Sequence, residues 1–216
     1  MYLHEVVLLC FSGCLLTVGA DLIKLSCKEL RQLVDGHNER RLLLAKGMVR
    51  GQPPAAEMRA IIWDKELATK AAGWAILAKD LHNPDKKIPS GRFLVGENLY
   101  WFKTTDPNKT LNMDFPLRSW WKEYEAYKFT SYRQNNVHKL KKFTHYTQMA
   151  WSNSTHLGCA VNRSKKDRFH THFVVCNYGP AGNIIGQAPY KSGIPSKRLS
   201  CVPKSKCYQK YGPDCG

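Results

Sequence analysis

A chain of 216 residues, 43% apolar, 11% aromatic and 23% charged, can bury one substantial core as a single folded domain. This composition excludes a disordered chain and a collagen-like rod, and no internal repeat marks a solenoid or propeller. The formal net charge of +16 favours anionic partners.

Residues 1–20 read as a secretory leader. Val6 to Val18 is a nearly unbroken apolar run ending in Val18-Gly19-Ala20, small where a signal peptidase reads, so cleavage is expected after Ala20. The run falls short of the about 20 residues a membrane-spanning helix needs, and no later segment comes closer, so no transmembrane segment is expected. Cleavage removes Cys10 and Cys14, leaving six cysteines, an even number suited to three disulfides in an oxidising, extracellular compartment. It also removes Glu5 and no Lys or Arg, raising the formal charge from +16 to +17. Three sequons, at Asn108, Asn153 and Asn162, are the expected glycosylation sites of a secreted glycoprotein.

Ser26-Cys27-Lys28-Glu29 reads as a capping box opening a helix to about Lys46, with Leu30, Leu33, Val34, His37 and Arg41 on one face and Gly47 as the left-handed stop. His37 stands alone on that face and reads as a hydrogen-bonded core-edge residue. After the extended Gln52-Pro53-Pro54, Asp64 caps a second helix over Lys65 to Leu81, whose stripe Leu67, Ala71, Trp74, Ala75 and Ala78 continues by four residues to His82. A Gly96-Glu97-Asn98 turn leads into Leu99-Tyr100-Trp101-Phe102. A third helix is expected from about Phe115 to Tyr127, with Trp120, Tyr124 and Tyr127 inward and Glu123 bordering them, where a carboxylate needs a partner. Gly158 to Val161 and His172 to Tyr178 read as an antiparallel hairpin joined by the basic link Asn162 to Thr171, and a Cys159–Cys176 bond between neighbouring strands would staple it. From Ser192 a cysteine-tied tail begins, in which Cys27, Cys201, Cys207 and Cys215 allow three connectivities.

The chain holds no serine elbow, Walker loop, HExxH helix or paired CxxC clusters, so standard nucleophilic hydrolase chemistry is unsupported. His170 and His172, two apart on a strand, face one side and offer a metal pair or ordinary strand-end roles.

A set of dispersed motifs resembles the superfamily of cysteine-rich secretory proteins, antigen 5 and pathogenesis-related proteins, and within it arthropod venom and salivary antigen 5. These are His37-Asn38 with Arg41, Pro53 to Ala55, Trp63-Asp64 with Glu66-Leu67-Ala68, Trp74-Ala75, Gly96-Glu97-Asn98, Trp120 with Glu123 and Tyr127, His145 to Trp151, and Val175 to Asn183. The resemblance covers roughly residues 28 to 190. It implies an α+β fold, a three-layer α-β-α sandwich with a small antiparallel sheet over residues 21–191, followed by a short cysteine-rich tail over 192–216. It also implies a cleft gathering His82, Glu97, Glu123 and His145. Neutral imidazoles are good ligands for zinc or copper, and carboxylates nearby can orient them or hold a metal-bound water. Two departures stand out: the antigen 5 proteins often carry cysteines where Ala78 and Asp85 stand here, and their cysteine-rich N-terminal extension is missing.

The resulting expectation is a secreted, monomeric, non-enzymatic antigen 5-like protein of arthropod saliva or venom that sequesters a host ligand and acts as an allergen. Two alternatives accompany it. One is a metal-dependent hydrolase or redox enzyme at the His/Glu cleft; the other is a sterol or fatty-acid carrier with Tyr100-Trp101-Phe102 along a lipid groove. Basic clusters at Arg40-Arg41, Lys139 to Lys142, Arg163 to Arg168 and Lys197 to Lys206 suit an anionic glycan, anionic lipid or an acidic platelet or plasma protein better than nucleic acid.

Overall fold

The computed structural model describes residues 20–201, 207–213 and 215; the expected leader up to residue 19 lies outside them. Helix α1 runs Cys27–Lys46. Its capping box forms as the sequence dictates, with the Ser26 Oγ accepting from Glu29 N and the Glu29 carboxylate accepting from Ser26 N, and Gly47 ends it at φ 70°.

Strand β1 (Ala20–Ile23), β2 (Ile62–Trp63), β3 (Gly96–Thr104), β4 (His156–Lys166) and β5 (Phe169–Gly179) form one sheet. Its order is β1-β4-β5-β3, with β2 added to β4 in parallel. Alternation along the strands divides the core in two. Ala160, Phe173 and Val175 face α2 (Lys65–Ala75) and pack on Ala71 and Ala75. Leu157, Cys159, Val161, Val174, Cys176 and Tyr178 point the other way, into the larger core of α1, α3 (Asp114–Lys122) and α5 (Thr144–Met149), with the short α4 (Val137–Leu140) beside it. These are the three layers the motifs imply. Gly158 lets α2 lie directly on β4, since a Cβ there would fall 2.0 Å from the Ala68 amide nitrogen.

Disulfides join Cys159 to Cys176, as expected, and resolve the tail as Cys27–Cys215 and Cys201–Cys207. The Cys27–Cys215 bond ties the tail to the start of α1, where Arg31 also donates to the Cys215 carbonyl at 2.9 Å.

Four expectations need correction. Helix α2 stops at Ala75 rather than Leu81, because residues 76–78 tighten into turns and Ala78 reverses the chain at φ 46°. Helix α3 stops at Lys122 rather than Tyr127 and continues as a 3₁₀ turn over Glu123–Glu125. Gly96-Glu97-Asn98 is not a turn but the first part of β3, in register with Tyr178 to Cys176. The basic link Asn162 to Thr171 is not a loop: β4 and β5 pair through it to Lys166 and Phe169, reversing at Asp167 with φ 54°. The positive charges had hidden strands whose outer ends simply stand in solvent.

Candidate functional site

Each of the four expected site residues is placed by a different element, and the structure joins them in two pairs. On the α5 side, His145 Nδ1 lies 2.6 Å from Glu123 Oε1, while the other carboxylate oxygen accepts from Tyr146 N at 3.0 Å. The His145 ring stacks on Trp120, with centroids 6.3 Å apart and planes 15° from parallel. On the β3 side, His82 Nδ1 lies 2.9 Å from Glu97 Oε1, which also accepts from Asn83 N at 2.9 Å. The Glu97 side chain is only 2% exposed. With its amide oriented to satisfy both neighbours, Asn177 donates to the second Glu97 oxygen at 3.2 Å and accepts from Ala71 N at 3.1 Å.

A carboxylate only accepts, so in each neutral ring Nδ1 carries the proton and Nε2 keeps a free lone pair. This is the orientation that carboxylate–histidine–metal sites use. Among the described residues no three His, Cys, Asp or Glu side chains gather as a metal-ligand group. Each pair therefore offers one imidazole Nε2 with a carboxylate behind the ring. His170 and His172 likewise form no such group; burial lowers the His172 pKa, helped by Arg163 and His170.

Strand β3 touches both sides: Glu97 serves the His82 side, and its neighbour Asn98 reaches the backbone of α5. Beside Glu97, Asn98 donates its Nδ2 to the His145 carbonyl and to the Tyr178 hydroxyl, both at 3.1 Å. The Tyr178 hydroxyl donates in turn to His37 Nε2 at 2.8 Å, and His37 Nδ1 donates to the Leu33 carbonyl at 2.7 Å. Burial pushes the His37 pKa down to about 3. Arg41, one turn along α1, is equally buried and donates to the carbonyls of Arg59, Met149, Trp151, Ser152 and Ser154 at 2.8–3.2 Å. Burial lowers its pKa to about 9, so it stays charged at neutral pH and clamps the connection from α5 to β4.

A groove of about 350 Å³ runs past His82, Glu97 and Gly96 to Thr144, Gln148 and Gly182. Gln148, 1% exposed, accepts from Gly182 N and donates to Ser154 Oγ, both at 2.9 Å. It explains Gly96, where a Cβ would fall 2.1 Å from the Gln148 Oε1. Asn98 and Gln148 were visible inside the quoted motifs, but nothing in their spacing announced them as the polar supports of the groove.

The aromatic triplet does not line a single groove. Trp101 stacks on Phe173 at 3.9 Å on the α2 face, whereas Tyr100 meets Trp120 and Phe102 meets Phe115 on the opposite face. Of the three sequons, Asn108 and Asn153 are exposed, but Asn162 is 0% exposed within β4 and has no room for a glycan in this fold. No helix among the described residues is long and apolar enough to cross a membrane.

Comparison with known proteins bears on this arrangement. A family model described as CAP, the cysteine-rich secretory protein family, matches residues 34–178. Venom allergen 5 of Dolichovespula arenaria is 34% identical over 168 residues, 76% of this chain and 80% of that protein. Venom allergen 5.02 of Vespa crabro is 34% identical over 181 residues, 80% of this chain and 86% of that protein. Among solved structures, NaASP2 with Zn2+ is similar at TM-score 0.66 and 26% identity, covering 80% of this chain and 90% of that one. BmVAL-1 is similar at TM-score 0.67 and 25% identity, covering 79% and 85%.

Proposed function

Since the chain belongs to the cysteine-rich secretory protein family, we propose that it is a secreted, non-enzymatic antigen 5-like protein of arthropod venom or saliva. In this reading it sequesters a host ligand at the groove beside His82 and acts as an allergen in sensitised hosts, as the names of its wasp relatives suggest for those proteins. The observation that carries the reading is the pairing of each imidazole Nδ1 with a carboxylate, which supports Nε2 as the atom each ring would offer to a ligand. In this reading a zinc or copper ion would be held by His82 and His145, with Glu97 and Glu123 fixing the rings. The similar structure bearing zinc supports that choice of ion. When bound, such an ion supplies a positive, exchangeable coordination position for a donor group of the ligand. The chain's own residues hold the two rings, shape the groove through Gln148 and Gly96, and keep the carboxylates hydrogen-bonded.

The test is capture from host plasma and platelets with metal-loaded protein, repeated with His82→Ala and His145→Ala. A ligand retained by the wild type and lost by both variants supports the reading. Metal-dependent turnover abolished in both variants, with no ligand captured, would replace it with the enzyme reading.

A further inference from the structure

Four basic clusters stand out in the sequence, and the fold does not treat them alike. Arg40-Arg41 is not a surface patch: Arg41 is buried, and Arg40 is paired with Asp114 at 2.9 Å. In the Arg163 to Arg168 cluster, Arg163 donates to the Pro107 carbonyl, and the remaining cations flank Asp167 at the hairpin tip. Lys197 to Lys206 lies partly outside the described residues.

The Lys139 to Lys142 cluster differs: it borders a concavity of about 630 Å³ lined by no carboxylate, whereas the one Arg163 borders is lined by Asp21 and Glu29. Lys139, Lys141, Lys142 and His138 come from α4 and the turn after it, and Lys128 comes from the segment after α3 on the other side. All five are exposed, and no Asp or Glu lines the space. Among the described residues none of the five forms an ion pair with a carboxylate. Cations drawn together from two segments without a counter-charge repel one another, and an external polyanion relieves that repulsion.

The geometry points to this groove as a docking site for a sulfated glycosaminoglycan chain of the heparin or heparan class. Leu140 and Phe143 line the groove among the lysines, an apolar surface against which sugar C–H faces can pack while sulfates reach the ammonium heads. No exposed large apolar side chain borders the groove, so a bilayer would find nothing here to insert, which favours the glycan over an anionic membrane. The site is separate from the His82 groove: no residue lines both.

The test uses the full secreted chain and a heparin-derived oligosaccharide of defined length, with binding measured at several salt concentrations. The triple variant Lys139→Ala/Lys141→Ala/Lys142→Ala is compared with Lys165→Ala/Lys166→Ala/Arg168→Ala, which removes the same formal charge from the hairpin tip. Each exposed ionic contact carries a factor of a few, so the groove variant should lose roughly tenfold or more in affinity and show a flatter salt dependence. The hairpin variant should stay within roughly threefold of wild type, and Lys128→Ala should weaken binding by a factor of a few. Equal losses in both triple variants would mean that net charge alone binds, and would overturn the site. So would a groove variant that binds like wild type, or one that loses adhesion to phosphatidylserine vesicles when no heparin binding existed to lose. Thermal melting of the groove variant close to wild type checks that its fold is intact.

Discussion

His145 sits on a helix and stacks on the buried Trp120, while His82 sits on a loop with 53% of its side chain in solvent. The chemistry of the two pairs is the same, but what holds them differs. Behind His145 stands the main core, the Arg41 clamp and the chain of hydrogen bonds from His37 through Tyr178 and Asn98. Behind His82 stands one buried carboxylate, Glu97, which gathers the His82 ring and the Asn83 amide, helped by Trp74 donating to the Leu81 carbonyl at 2.8 Å. The loop has no disulfide, Ala78 and Asp85 standing where the antigen 5 proteins often carry cysteines. A site assembled from one rigid half and one tethered half is adjusted on the tethered side, so substitutions should act globally on the His145 half and locally on the His82 half.

The contrast is broken most forcefully at Arg41. Arg41→Ala strands buried carbonyls at the end of α5, and we expect a loss of about 3–5 kcal/mol, read as a large drop in the urea midpoint with the whole chain unfolding together. Glu97→Ala is the counterpart. It should cost about 2–3 kcal/mol, raise amide exchange between residues 76 and 95 while leaving α5 protected, and weaken metal binding about 10–100-fold. A uniform rise in exchange across the chain would show that the loop is not a separate unit.

A third prediction follows from His37. Its folded pKa of about 3 lies below the ordinary 6.5, so its contribution is complete above pH 6.5 and is lost as pH falls toward 3. At about 1.4 kcal/mol per pH unit, urea melts at pH 5 should be weaker than at pH 7 by about 2 kcal/mol from this group. His37→Gln should remove that part of the slope. The smallest effect is expected at Lys70, which pairs with the exposed Asp85 at 2.9 Å on the His82 loop. Lys70→Ala should slightly raise exchange near Asp85, and the difference should vanish in high salt.

The same division decided what the sequence disclosed. The rigid half was legible because its signals are local: Ser26 and Glu29 cap α1, Gly47 ends it, and His37 and Arg41 fall on its inner face. The cysteines of the hairpin were legible because each lies in an apolar, β-favouring run. The approach to His82 is misread from sequence, since a helix extended from Trp74 through Ala78 would also reach it, whereas α2 ends at Ala75 and Ala78 takes φ 46°. Gly96 read as a turn because its reason, the Gln148 side chain pressed against it from α5, lies 52 residues away in sequence. That His82, Glu97, Glu123 and His145 belong together rested on resemblance, and which carboxylate serves which imidazole is contained in neither the resemblance nor the spacing.

The proposed metal site requires both imidazoles to present Nε2 to one shared ion, and zinc titration by calorimetry tests it most directly on wild type, His82→Ala and His145→Ala. The account predicts one ion per wild-type chain, with affinity falling by roughly tenfold or more in either single variant. Unchanged affinity in either variant, or two independent ions of which each variant loses one, would contradict it.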